Sequence, residues 1–210
     1  GLFISLILAV IINKNVYFKD FFKVIYFMPY ISSVVAVAIV FQVLFHPTLG
    51  PINQLLMSMG IEDPPKWIAD TSFALPSVMI ILIWTHIGFQ LIIYLAGLQN
   101  IPKELYEAAE MDGATSWYMF RKITVPLVSP TTFLLLITGL ISSFKVFDLI
   151  LVLTNGGPAH STTLPVVYLY QQAFVELKTG YASTIALVLF VLILLITVLQ
   201  WFGQKKWVNY

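Results

Sequence analysis

The sequence predicts an all-α, polytopic membrane helical bundle, and three observations carry that prediction. Hydrophobic residues make up 59% of the 210 and charged residues only 10%, with a mean hydropathy of +0.90. Soluble domains run at about 45–50% apolar and 25% charged. The apolar residues gather into runs of spanning length. One polar stretch, 100–130, has a long apolar run on each side, and a charged segment of that kind has no place in hydrocarbon.

Gly1 to Ile12 is apolar but shorter than the roughly 20 residues that cross a bilayer core of about 30 Å. It reads as the second half of a span. Because it starts inside an apolar run, without Met or a basic leader, the chain is expected to be cut at its front. Phe18, Phe21, Phe22 and Ile25 share one helical face while Lys19, Asp20 and Lys23 take the other, the pattern of a helix lying in the interface. The next span is expected over 24–45, with Pro29 near its start and His46-Pro47 at its end.

In the polar stretch that follows, Ile52, Leu55, Leu56 and Met59 form one stripe of a small helix that Gly60 stops. Pro64-Pro65-Lys66-Trp67 then reads as a surface loop with an interfacial Trp. Further spans are expected over 73–98, 131–153 and 181–202. Between the last two, Asn155-Gly156-Gly157-Pro158 signals a turn, and Val167, Tyr170, Phe174 and Leu177 share one side of a short helix. Ala182 and Ala186 make a small-xxx-small pair suited to close helix contact.

Within 100–130 the local pattern is helix, break, helix. Pro102 pre-sets a first turn, Glu104 and Glu107 lie near the positive end of the dipole, and Gly113 is placed to end the helix left-handed. Leu105, Ala108, Ala109 and Asp112 follow the i, i+3, i+4, i+7 rule, so two small side chains share a face that another body can approach closely. Thr115 or Ser116 caps a second helix carrying Trp117, Phe120, Arg121 and Ile123, and Pro126 limits its far end.

Orientation follows from Lys and Arg beside the spans. Lys14, Lys19, Lys23, Lys103, Arg121, Lys122, Lys205 and Lys206 fall on one side, and Lys66 and Lys178 on the other. The excess places loop 100–130 and the C-terminus in the cytoplasm. The first segment then starts outside, so an odd number of spans, most economically one, is expected upstream.

No HExxH, GxSxG, GxGxxG or GxxxxGK[ST] pattern is present, so no P-loop binds ATP in this chain and no catalytic set is read. His46, His86 and His160 fall in different segments, which argues against a metal site. The few basic residues are scattered, without the aromatic-interleaved patch of a nucleic-acid binder, and there is no cysteine. Three ionisable residues fall at membrane depth: His86, Lys145 and Asp148. A charge at the bilayer centre costs about 2.5–3.5 kcal/mol on insertion scales, so such groups face a bundle interior or a watery path. On one continuous helix Lys145 and Asp148 share a face and pair. Two roles fit them: a structural ion pair with a hydrogen-bonded histidine, or a solute path shared with Trp84, Gln90, Ser142 and Ser143.

Glu107-Ala108-Ala109, Gly113 and the later Ile123-Thr124-Val125-Pro126 resemble the EAA loop of bacterial ABC-importer permeases. The resemblance implies a type I importer transmembrane domain over 1–210, with 100–130 as the cytoplasmic coupling helix docking on an ATPase subunit. The residues it assigns to that docking are Leu105, Glu107, Ala108, Ala109, Asp112 and Gly113. Phe144-Lys145-Val146-Phe147-Asp148 and Leu153-Thr154-Asn155-Gly156-Gly157-Pro158 are similar to the first permease subunit of carbohydrate importers of the maltose and glycerol-phosphate type. Implied with it are a bacterial cell membrane location, a second homologous permease subunit, two ATPase subunits carrying ATP-Mg, an extracytoplasmic solute-binding protein, and a sugar or sugar-like solute. This chain itself would bind no cofactor and catalyse no reaction. From another class, a stand-alone ion-coupled transporter with His86, Lys145 and Asp148 as a proton relay would show inverted repeats, and none is evident.

Overall fold

The computed structural model describes residues 1–13, 17–205 and 208; Lys14 and Lys206, counted above for orientation, lie outside them. Every regular element among the described residues is helical. In chain order they are α1 (Leu2–Asn13), α2 (Lys19–Ile31), α3 (Val34–Leu44), α4 (Pro51–Ser58), α5 (Thr71–Gln99), α6 (Lys103–Met111), α7 (Ser116–Met119), α8 (Val125–Leu127), α9 (Ser129–Phe144), α10 (Asp148–Leu153), α11 (Pro165–Tyr170) and α12 (Thr179–Gln204). Helices α5 and α12 are each long and apolar enough to cross a membrane, and two broken pairs, α2 with α3 and α7–α8 with α9, reach that length together.

The contacts group into two compact units. The first comprises Gly1–Tyr30, Thr85–Leu140 and Leu195–Tyr210; the second comprises Ile31–Trp84 and Ile141–Leu194. In the first unit Leu6, Ala9 and Ile12 of α1 pack with Leu91, Tyr94, Leu95 and Leu98 of α5, and with Ile101, Val128 and Leu135. The spacing of each set is one helical face, so burial selects the apolar stripe of α1 and α5. Gly88 lies against the α2 backbone: a Cβ there would sit 1.8 Å from the Tyr26 carbonyl oxygen. Only glycine permits that approach, one turn before Pro29 interrupts the α2 hydrogen-bond ladder.

In the second unit Val37, Ala38 and Phe45 pack with Val78, Ile81, Leu149, Ile150, Leu153 and Val167. Gln42 Nε2 donates to the Val152 oxygen at 2.7 Å and the Leu153 oxygen at 3.3 Å, satisfying carbonyls that the short α10 leaves open. Asn53 is wholly buried. Its Nδ2 donates to the carbonyls of Pro47 and Pro65 at 2.7 and 2.9 Å, and its Oδ1 accepts from Trp67 Nε1 at 2.6 Å. Trp67 also stacks on Phe45 at 4.8 Å, so one amide ties the whole 46–70 segment together.

Several expectations are corrected. The apolar run 24–45 is not one helix: α2 starts at Lys19, absorbing the interfacial segment, and ends before Ser32 and Ser33. Ser33 takes an extended conformation (φ −58°, ψ 127°) and begins α3. Phe18 has φ 63° and stands in the turn before α2, off the helical face assigned to it. The run 131–153 also breaks, since α9 ends at Phe144 and α10 starts at Asp148. Hydropathy sums over residues and is blind to these interruptions of the backbone ladder. Leu177, at φ 56°, likewise leaves the helical side shared by Val167, and Ala186 is exposed where Ala182 is buried.

Candidate functional site

Loop 100–130 folds as a helical hairpin fastened to the first unit. Helix α6 ends in a Schellman turn: the Gly113 N–H donates to the Glu110 oxygen and the Ala114 N–H to the Ala109 oxygen, both at 2.9 Å, with Gly113 at φ +75°. That pair of bonds requires a left-handed residue, which is why glycine stands there. Of the two expected caps, Thr115 and Ser116, it is Thr115 that starts α7, accepting from the Tyr118 N–H at 3.3 Å.

Beyond α7 the helix does not stop at Pro126. It passes through a π-helical turn, Phe120–Thr124, into α8. Proline has no N–H to give to the carbonyl four residues back, and the Val125 N–H reaches the Phe120 oxygen instead. The bend comes at Val128, where α9 leaves at 61°.

Leu105, Glu107, Ala108, Asp112 and Gly113 are exposed and Ala109 is half-buried. A groove of about 420 Å³ runs along Ala109, Asp112, Gly113, Ala114, Thr115 and Tyr118. Around it Met111 is 89% exposed and Trp117 69%, a large apolar surface for a polar segment. The hairpin is held from beneath by Tyr106, whose hydroxyl shares a 3.0 Å hydrogen bond with the Thr124 hydroxyl. Tyr106, Phe120 and Ile123 pack on the first unit's core. Sequence reasoning passed over Tyr106; its place one turn before the half-buried Ala109, on the side of α6 away from the exposed Glu107 and Ala108, was the available signal.

The residues expected along a solute path divide between the two units. In the second, Ser142, Ser143, Lys145 and Asp148 are all exposed at the break between α9 and α10. Among the described residues no ion pair joins Lys145 to Asp148; the pairs present are Lys23–Asp20 and Lys178–Glu176. The break separates the two side chains that a continuous helix would have stacked. Trp84, also in the second unit, is half-exposed and meets Phe41 edge-on at 5.4 Å. In the first unit, His86 lies 5.8 Å from the Tyr30 ring with Nδ1 3.2 Å from the Thr85 hydroxyl. There Gln90 Oε1 accepts from Ser5 at 2.9 Å.

Among the described residues every regular element is helical, and exposed apolar helices flank an anchored polar hairpin, which defines a polytopic membrane protein. Comparison with known proteins then places it. The family described as binding-protein-dependent transport system inner membrane component matches residues 1–207. A probable ABC transporter permease protein of Pyrococcus horikoshii is 34% identical over 204 residues, 96% of this chain and 70% of that one. The lactose transport system permease protein of Rhizobium radiobacter is 33% identical over 207 residues, 96% and 69% of the two chains. The arabinooligosaccharides transport system permease protein of Bacillus subtilis is 33% identical over 200 residues, 94% and 64%.

Among solved structures, the crystal structure of a bacterial ABC transporter involved in import of the acidic polysaccharide alginate superposes with a TM-score of 0.86 at 27% identity, over 96% of this chain and 71% of that one. An alginate ABC transporter in complex with an alginate pentasaccharide-bound periplasmic protein gives 0.88 at 27% identity, over 98% and 72%. The chain belongs to the family of binding-protein-dependent transport inner membrane components, the permeases of ABC importers.

Proposed function

We propose that this permease moves an oligosaccharide or similar sugar from an external binding protein into the cytoplasm, driven by ATP hydrolysis on partner subunits. A second homologous permease completes the path, and two ATPase subunits dock on α6. Closure of the ATPase pair on ATP draws the hairpins together, and the bundle turns from inward-open to outward-open. The observation that carries the proposal is the hairpin: an exposed, small-residue helix closed by a glycine turn and anchored through Tyr106 and Thr124 to the unit core. A helix meant only to lie on a membrane needs neither the groove nor the anchor. The lactose and arabinooligosaccharide relatives support the sugar class.

Two measurements test this reading. In the assembled complex with its binding protein, a screen of sugars and polyol phosphates is expected to find a solute that raises ATP hydrolysis several-fold, within the usual range of coupling energies. Hydrolysis indifferent to every sugar would reject the solute class. Orientation is tested by single cysteines at Ser58 and Lys205, which should label from outside and inside respectively. Labelling of both from one side would reject the arrangement that the basic residues support.

A further inference from the structure

A second concavity lies wholly within the second unit, at the segment leading into α12. It holds about 600 Å³ and is lined by His160, Thr163, Tyr168, Gln171, Gln172 and Glu176 among others. Helix α11 does not end cleanly there but widens into a π-helical turn, Gln171–Val175, which inserts a residue and re-aims the side chains; such turns recur at functional sites. Both glutamines of the turn line the bay. Gln172 is only 5% exposed, and its Nε2 donates to Glu176 Oε1 at 2.9 Å. A primary amide has further donor and acceptor capacity beyond that one bond.

Glu176 also accepts from Lys178 at 2.6 Å. The Lys178 hydrogen bond first, and that of Gln172 second, hold its carboxyl below the usual value, so the group is ionised at neutral pH with its charge already balanced. On the other wall Thr163 donates to the Gly156 oxygen at 3.0 Å. Gly156 has φ +86°, and a Cβ there would lie 2.7 Å from the Thr163 hydroxyl, so the turn closes tightly on that wall. Tyr168 supplies an aromatic ring, steadied edge-on by Tyr181 at 6.4 Å.

Planar amide and carboxylate groups take neighbouring hydroxyls two at a time, and an aromatic ring packs against the C–H face of a pyranose. The volume lies within the range of small-molecule sites, about 300–1,000 Å³. The lining holds no lysine or arginine, and Lys178 beside it is paired with Glu176. We propose that this bay is an entry subsite for an uncharged sugar residue, formed by residues other than Ser142, Ser143, Lys145 and Asp148 at the α9–α10 break. The inference rests on the chain being a sugar permease with the start of α12 on the extracytoplasmic side. It adds a selection against uronic acids, whose carboxylate would meet no lysine or arginine in the lining other than Lys178, already paired with Glu176.

The test is saturation-transfer NMR on the full-length permease complex in nanodiscs, without binding protein, in a Ser143→Trp background that obstructs the helix-break residues. The probes are lactose, arabinotriose and a digalacturonate. A neutral probe is expected to give transfer that Gln172→Leu and Tyr168→Ala each weaken about tenfold, the scale of one buried hydrogen bond, while Tyr168→Phe keeps it and digalacturonate gives none. Assembly of each variant is checked by size-exclusion chromatography, and Gln172→Leu decides if Tyr168→Ala fails to assemble. Transfer insensitive to Gln172→Leu, equal transfer from the uronate, or none from either neutral probe overturns the subsite. If sugar-stimulated ATP hydrolysis persists alongside any of these results, the permease reading stands and only the subsite falls.

Discussion

Replacing Ala109 with Trp, Glu107 with Lys or Gly113 with Val is expected to cut transport by roughly 100-fold, the scale of one lost interface hot spot, while membrane insertion and solute delivery remain normal. The three act through different physics. Ala109 borders the groove beside Gly113 and Tyr118, so an indole there fills the space that a docking partner needs. Glu107 is exposed and offers a carboxylate for charge-assisted bonds, which Lys would turn into a repulsion against any basic partner. Gly113 differs again: a Cβ built there meets nothing within 4 Å, so valine is opposed by the left-handed backbone alone, at roughly 1 kcal/mol or more. That cost is too small to unfold the chain, yet it acts on the Schellman turn that sets the direction from α6 into α7. Co-purification of the ATPase with each variant, together with solute-stimulated hydrolysis, checks the prediction; unchanged coupling in all three would mean that α6 merely lies on the membrane.

Ser143→Trp and Lys145→Met are expected to change uptake by about tenfold or more in KM or maximal rate, since the first fills the exposed space at the helix break with an indole and the second removes an exposed charge beside it. Both positions are exposed at the α9–α10 break, so neither substitution opens a core cavity, and assembled protein should be recovered in normal amounts. An unpaired helix break at membrane depth leaves backbone groups to be satisfied, which is tolerated where it is buried in protein or borders water. Asp148 at the first turn of α10 is favoured by the helix dipole without Lys145, which frees the lysine for a solute or a neighbouring subunit. Uptake kinetics identical to the parent in both variants would assign these residues to packing.

The parts of this fold that the sequence discloses are those fixed by local chemistry. Gly113, Thr115 and the helical stripe of Leu105, Ala108 and Ala109 follow from backbone conformation and period, and the structure has them where those rules put them. The breaks at Ser32–Ser33 and Lys145–Phe147 are different, because an apolar window counts side chains and not ladder continuity. The short helix that follows the second break is closed at its far end by Gln42, more than a hundred residues away in sequence, which reaches the last carbonyls of α10. Tyr106 and Thr124 are legible only as a pair: each alone reads as an ordinary helical residue, and their contact exists because α6 folds back over the π turn. Asn53 is hidden for the same reason, its partners lying on both sides of α4, Pro47 before it and Pro65 and Trp67 after it. The bay beside α12 rests on a π turn that no periodicity announces.

ATP-driven sugar import through a coupled hairpin is tested most directly by affinity purification of the full-length chain from its native membrane in mild detergent, followed by assay of ATP hydrolysis. A second permease and an ATPase subunit are expected to come with it, and hydrolysis is expected to rise when solute-loaded binding protein is added. Isolation without any ATPase, with solute uptake driven by a proton gradient and abolished by substitution of His86, Lys145 or Asp148, would contradict it.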